Sequence, residues 1–267
     1  MRILFIGDIV GSPGRHIVQE RLGDIVENHQ IDLVIANGEN SASGFGITPK
    51  IAEELLGLGI EVLTGGNHSW DRQEILEFMP HQPRLLRPAN FAPANPGSGL
   101  FVGKSKSGLE FAVLNLQGRV FLPSNDDPFK RADEELAKIP SGVGFVLVDF
   151  HAETTSEKIA LGWYLDGRVS AVVGTHTHVA TADERVLPKG TAYITDVGMT
   201  GPHDGVIGMD RYGIVKKFLD GLPARFEVAT GDIQMNAVLI ETDDSGARNE
   251  AGRLSAKAIK RLRLFID

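Results

Sequence analysis

The feature that most constrains this 267-residue chain is a set of five short, largely apolar runs. Each breaks off in a side chain able to bind a metal. Residues 2–6 stop at Gly7-Asp8, residues 33–36 at Asn37-Gly38-Glu39-Asn40, and residues 62–64 at Gly65-Gly66-Asn67-His68. Residues 144–149 lead into Phe150-His151, and residues 169–173 into Gly174-Thr175-His176-Thr177-His178. Runs this short and this apolar, closed by Gly, predict strands buried on both faces. Ile17, Val18, Leu22, Ile25 and Val26 recur at helical spacing after a loop at residues 9–14, and Thr48-Pro49 opens a second helix through Leu56. Strand, helix, strand, helix, strand implies a parallel sheet with right-handed crossovers.

The second half has a different grain. Residues 100–104 and 109–116 flank Ser105-Lys106-Ser107-Gly108 as a hairpin, and a helix is expected over about residues 156–164. Further strands are expected at residues 192–195, 225–228, 233–240 and 259–266. Residues 80–99, with five prolines, read as an irregular surface excursion. No repeat of solenoid period and no linker tract divides the chain. The expectation is an α/β fold of two packed mixed β-sheets (a sandwich) flanked by helices, with residues 1–267 forming one catalytic domain.

Composition narrows the function. A net charge of −8 argues against coating long nucleic acid through a basic face. No stretch is apolar enough for a membrane span, and residue 2 already opens a strand where a leader peptide would lie. With no Cys, any metal must be held by nitrogen and oxygen, and the cytoplasm is the expected location.

In open α/β sheets the ligand crevice lies beyond the carboxyl ends of the strands. Asp8, Glu39, Asn67, His151, His176 and His178 all fall there in this reading. Such a set suits Mn, Fe, Zn or Co. Singly, each residue has an ordinary explanation: Asp8 a turn cap, Glu39-Asn40 a polar loop, Asn67 a left-handed turn, His151 a buried histidine. Their shared placement at strand ends is what points to a metal site. His16, His29 and His81 read as surface or packing residues, and Trp70 as core more than as a base-stacking platform. His203 could belong to a loop closing over the site or to a plain turn. Gly7 to Gly14 lacks the Gly-Lys-Ser/Thr ending of a phosphate loop.

The ordered series Gly7-Asp8, Gly38-Glu39-Asn40, Gly66-Asn67-His68, His151 and Gly174-Thr175-His176-Thr177-His178 resembles the signature of the metallophosphoesterase (calcineurin-like) superfamily. Gly7-Asp8-Ile9-Val10-Gly11 and Gly38-Glu39-Asn40 resemble in particular its YmdB-type branch of metal-dependent phosphodiesterases, and the likeness continues through Met199-Thr200-Gly201-Pro202. Two departures from the wider superfamily stand out: Val10 replaces the His of Asp-x-His, and Glu39 replaces the bridging Asp. The resemblance implies one metal held by Asp8, Glu39, Asn40 and His178, and a second held by Glu39, Asn67, His151 and His176. It also implies that His68 protonates the leaving oxygen, a role open to imidazole near neutral pH. The cofactors so implied are two divalent or mixed-valence ions, iron or manganese ahead of zinc.

Two divalent ions less Asp8, Glu39 and a bridging hydroxide leave a site of roughly +1, suited to a phosphodiester. The implied substrates are small phosphodiesters, notably 2′,3′-cyclic nucleoside monophosphates. A phosphomonoesterase on the same metals, and a metal-loaded nucleotide-binding regulator with little turnover, are the competing readings. An amidohydrolase-like enzyme would place His-x-His on its first strand, whereas here the pair comes late.

Overall fold

Strand alternation sets the layers. In the computed structural model, which describes residues 1–243 and 245–266, the first strand β1 (Arg2–Ile6) sends Ile3 and Phe5 to one side and Leu4 and Ile6 to the other, all fully buried. A strand covered on both faces can be apolar throughout, which is why the run shows no polar alternation. After β1 come β2 (Asp8–Ile9), α1 (Gly11–His29), β3 (Leu33–Asn37), α2 (Pro49–Gly57), β4 (Val62–Thr64) and α3 (Ile75–Phe78). Then follow β5 (Leu100–Lys104), β6 (Glu110–Gln117), α4 (Pro128–Leu136), β7 (Phe145–His151), α5 (Thr155–Leu165) and β8 (Ala171–Thr175). The chain continues through β9 (Arg185–Val186), β10 (Ala192–Ile194), β11 (Met199–Pro202), α6 (Arg211–Asp220), β12 (Ile233–Thr242) and β13 (Ala256–Phe265).

These strands form two mixed sheets. The first runs β2-β11-β12-β1-β3-β4, with β13 on the other edge of β12. β1, β3 and β4 are parallel, while β12 is antiparallel to both β1 and β13. The second runs β5-β6-β7-β8-β10-β9, parallel from β6 through β10 and antiparallel at its ends. Ile3, Phe5 and Ile35 of the first sheet share a core with Phe145, Leu147 and Val173 of the second. Helices α1 and α2 cover the outer face of the first sheet, and α4 and α5 that of the second. The layering is helix, sheet, sheet, helix, as expected.

Two local expectations need correction. Residues 9–14 are not a loop: Ile9 belongs to β2 and α1 starts at Gly11, with Pro13 tolerated in a first turn that needs no internal donor. A Cβ on Gly14 would stand 2.3 Å from the Thr200 carbonyl oxygen, so the glycine lets this helix lie against β11. Residues 225–228 form no strand; Val228 makes one isolated bridge to Met209. Their alternation is satisfied by packing along α6, where Lys217 sits over Phe226. Helices α4 and α6, and the short strands β2, β9 and β11, stand in addition to the expected elements. Residues 80–99 are irregular as expected, tied down by bridges from Leu63 to Leu85 and Leu86 to Ser98.

Candidate metal centre

The parallel strands of both sheets end on the same side, and their terminal residues meet there. Asp8, Glu39 and His151 are buried and offer ligand atoms within 4.8 Å of one another. The other expected residues gather around them in two groups. In one, the Asn40 amide nitrogen lies 3.5 Å from Asp8 Oδ1 and 3.2 Å from His178 Nε2, and His178 Nε2 is 3.8 Å from Asp8 Oδ1. In the other, His151 Nε2 faces Asn67 Oδ1 at 2.9 Å, His176 Nδ1 at 3.0 Å and Glu39 Oε1 at 3.0 Å.

Local backbone explains the convergence. His176 and His178 adopt positive φ of 102° and 63°, costly for any side chain with a Cβ. That conformation lets two imidazoles one residue apart turn toward the same place. Gly174 is required at the start of this turn, since a Cβ there would lie 1.8 Å from the Thr195 carbonyl oxygen. Gly66 clears space for the His151 ring, which a Cβ would meet at 2.2 Å.

Each imidazole is tied on its outward nitrogen to an acceptor. His151 Nδ1 lies 3.0 Å from Thr175 Oγ1, whose hydroxyl donates to Asp149 Oδ1 at 2.8 Å. His176 Nε2 is 3.0 Å from Glu153 Oε2, and His178 Nδ1 is 2.9 Å from the Ile207 carbonyl oxygen. These partners assign the proton to the outer nitrogen and leave a lone pair on the inner one, as a metal-ligating histidine requires. The carboxylates follow the same plan. The His176 backbone N–H donates to Asp8 Oδ2 at 3.2 Å and that of His68 to Glu39 Oε2 at 3.0 Å, leaving Asp8 Oδ1 and Glu39 Oε1 inward. Glu39 Oε1 is buried and aligned as a hydrogen bond to no group, although His151 Nε2 is near. Two ring lone pairs facing each other at 3.0 Å beside an orphaned carboxylate oxygen need a cation between them.

The electrostatics agree. Burial raises the Asp8 carboxyl above its usual range and pushes Glu39 up to about 7, against the pull of nearby histidines. Burial lowers His151 to about 3 and His176 to about 2, keeping both rings neutral. Neutral imidazoles and strained carboxylates in one buried place are a donor set that positive charge would relieve.

His68 sits at the rim, where its Nδ1 approaches Asp71 Oδ2 at 2.7 Å and its ring meets Phe45 edge-on at 5.1 Å. Trp70 packs on the core and beside Phe91 at 6.2 Å, the packing role expected of it. His203 belongs to the loop that supplies the Ile207 carbonyl to His178. The sequence reading missed the supporting residues. Chief among them is Lys158, buried on α5, which donates to Asp196 Oδ2 at 2.5 Å and to the Thr175 carbonyl at 2.8 Å. Asp196 in turn accepts from the Thr177 and Gly198 backbone N–H groups at 3.2 and 2.8 Å. An apolar-looking strand with one Asp inside it, Val148-Asp149-Phe150, was the available signal for Asp149; nothing local marked Lys158.

Comparison with known proteins places this geometry. The 2′,3′-cyclic-nucleotide 2′-phosphodiesterase of Bacillus subtilis (strain 168) is 53% identical over 267 residues, spanning 100% of this chain and 97% of that protein. A solved structure described as a novel phosphatase from Mycoplasma pneumoniae superposes with a TM-score of 0.90 at 36% identity, covering 99% of this chain and 93% of that one. A hypothetical protein from Thermus thermophilus superposes with a TM-score of 0.89 at 40% identity, covering 99% of both chains. The YmdB-like protein family matches residues 4–254, and with these relatives the match shows that the chain belongs to that family.

Proposed function

We propose that the chain is a dinuclear metal-dependent phosphodiesterase acting on small phosphodiesters, with 2′,3′-cyclic nucleoside monophosphates as its substrates. The observation that carries this reading is the convergence of inner lone pairs from His151, His176 and His178 on two buried carboxylates and two amides. The split into two groups supports one ion among Asp8, Asn40 and His178 and another among Asn67, His151 and His176, with Glu39 between them. Asn40 would turn its amide over to present oxygen, since its nitrogen now bridges Asp8 and His178. The donor set favours iron or manganese, with zinc also accommodated. When bound, such a pair of cations supplies hydroxide at neutral pH and neutralises phosphoryl oxygens.

The chain's own residues do the remaining work. His68, oriented through Nδ1 by Asp71, donates a proton to the leaving oxygen from its other nitrogen. The backbone N–H of His68 holds Glu39 in place at the same time, so acid and ligand are fixed by one turn. Residues of both sheets build the centre, so we treat the whole chain as one catalytic unit. The absence of Cys fits a reducing cytoplasm. The full-length likeness to the 2′,3′-cyclic-nucleotide 2′-phosphodiesterase of Bacillus subtilis supports the diester over a monoester.

The test is His68→Ala. Turnover of 2′,3′-cyclic AMP should fall by roughly 10²–10⁴-fold while bound metal per chain stays at the wild-type value. Unchanged turnover removes the acid role. A metal-loaded wild type that leaves both 2′,3′-cyclic AMP and an aryl phosphodiester intact contradicts the function itself, and faster cleavage of an aryl monoester would favour a phosphomonoesterase.

A further inference from the structure

A cleft of about 390 Å³ opens beside His178 and runs along β12 and β13. Its volume lies in the range that holds one nucleotide-sized ligand. Val179 and Ile207 line it next to His178, and both are large apolar side chains left more than half exposed. The farther wall carries Arg261 and Arg263, two residues apart on one face of β13. Their environments differ. Arg261 Nε is 2.9 Å from Glu184 Oε2, which offsets its charge. Arg263 is exposed, its guanidinium carbon is 5.2 Å from the Phe265 ring centroid, and its one hydrogen bond runs through Nε to Gln234 Oε1 at 2.7 Å, Gln234 being itself fixed by Asp232 Oδ2 at 2.6 Å. Among the described residues, the terminal nitrogens of Arg263 have no acceptor. An arginine held at Nε with its fork unclaimed is the arrangement that receives a phosphate group.

The cleft therefore has an apolar lip beside a proposed metal ligand and a prepared guanidinium farther in. Resting on the phosphodiesterase reading, we infer that it is a subsite for the nucleoside and a second phosphate of the substrate, the phosphate on the 5′ side meeting Arg263. A base lies against Val179 and Ile207 while the scissile phosphate occupies the metal centre. Short RNA ends and 5′-phosphorylated nucleotides share this chemistry. One unit fills the cleft, so a long duplex is not required, in keeping with the net charge of −8.

The test is calorimetric binding to the full, manganese-loaded chain, with hydrolysis measured separately. The ligands are adenosine 3′-monophosphate, adenosine 3′,5′-bisphosphate and the dinucleotide ApA carrying a 3′-phosphate. The bisphosphate, through its 5′-phosphate, and the dinucleotide, through the phosphodiester on the 5′ side of its second nucleoside, should bind about tenfold more tightly than the 3′-monophosphate, as a charge-assisted contact allows. Arg263→Met should level that difference and Arg263→Lys should keep part of it. A gain for the bisphosphate alone assigns the subsite to free nucleotides, and a gain for the dinucleotide alone to RNA ends. Equal affinities for all three, or a preference that survives Arg263→Met, overturn the inference. Discrimination by the wild type without cleavage of any cyclic phosphate would sink the proposed reaction and leave the subsite standing.

Discussion

The two sheets contribute to the centre in different ways. The first delivers Asp8, Glu39, Asn40 and Asn67, oxygen-bearing side chains whose outer carboxylate atoms are held by backbone N–H groups of His176 and His68. The second delivers three imidazoles, positioned through buried side chains behind them. Asp149 and Thr175 fix the His151 ring, and Lys158 with Asp196 braces the turn that carries His176 and His178. A carboxylate can use any oxygen it presents, so backbone contacts are enough to aim it. An imidazole must have its proton on one chosen nitrogen, and that choice requires an acceptor behind the ring. The second sheet therefore carries the more costly polar network, and damage to it should be more severe.

The largest effect is expected at Lys158→Met. It leaves Asp196 as an unpaired buried charge, which should cost about 3–5 kcal/mol in a urea melt. Adding Asp196→Leu should restore much of that stability but not metal affinity, because the Thr177 and Gly198 N–H groups lose their acceptor. If Lys158→Met melts with the wild type, the bracing role is wrong.

Next is Thr175→Val, which removes the hydroxyl between His151 and Asp149. Metal affinity should weaken by roughly 10–100-fold in a chelator competition, and Thr175→Ser should recover most of it. A Val variant binding metal like the wild type would erase the contrast between the sheets.

The smallest effect concerns pH. Burial holds Glu39 and Asp149 at about 7 in the folded chain, against ordinary values of 4.5 and 3.8. For Asp149, hydrogen bonds from Thr64 and Thr175 only partly offset that burial. The folded chain thus binds these protons more tightly than the unfolded one. Their contribution to stability is complete below the unfolded values and lost as pH rises through about 7. His151 and His176, held neutral by burial, push stability the other way as pH rises toward 6.5, so the carboxylate contribution is read as a difference. The Tm of metal-free wild type should fall relative to that of Asp149→Asn between about pH 5 and 8, and manganese should raise Tm more at the higher pH. A metal-free wild-type Tm that climbs relative to that of Asp149→Asn over that interval would contradict the sign.

The sequence made the residues that converge on the centre legible because they sit where apolar runs stop, and a stop is a local event. Glu39-Asn40 and Gly174 to His178 could be read without knowing what packed against them. The supports were not legible for the opposite reason. Lys158 lies on a helix whose other residues set its pattern, and only the fold brings it under a turn 17 residues later. Residues 225–228 misled because alternation reports a half-buried extended segment, and a helix can cover such a segment as well as a strand can. The start of α1 was hidden by glycines that usually mark loops but here permit close approach to β11.

Anomalous diffraction from crystals soaked in manganese tests the central claim most directly. The account predicts two peaks between the sheets, one against Asp8, Asn40 and His178 and the other against Asn67, His151 and His176, with Glu39 reaching both. An ion bound away from these side chains, or a fully loaded centre in which Glu39 touches neither peak, would contradict it.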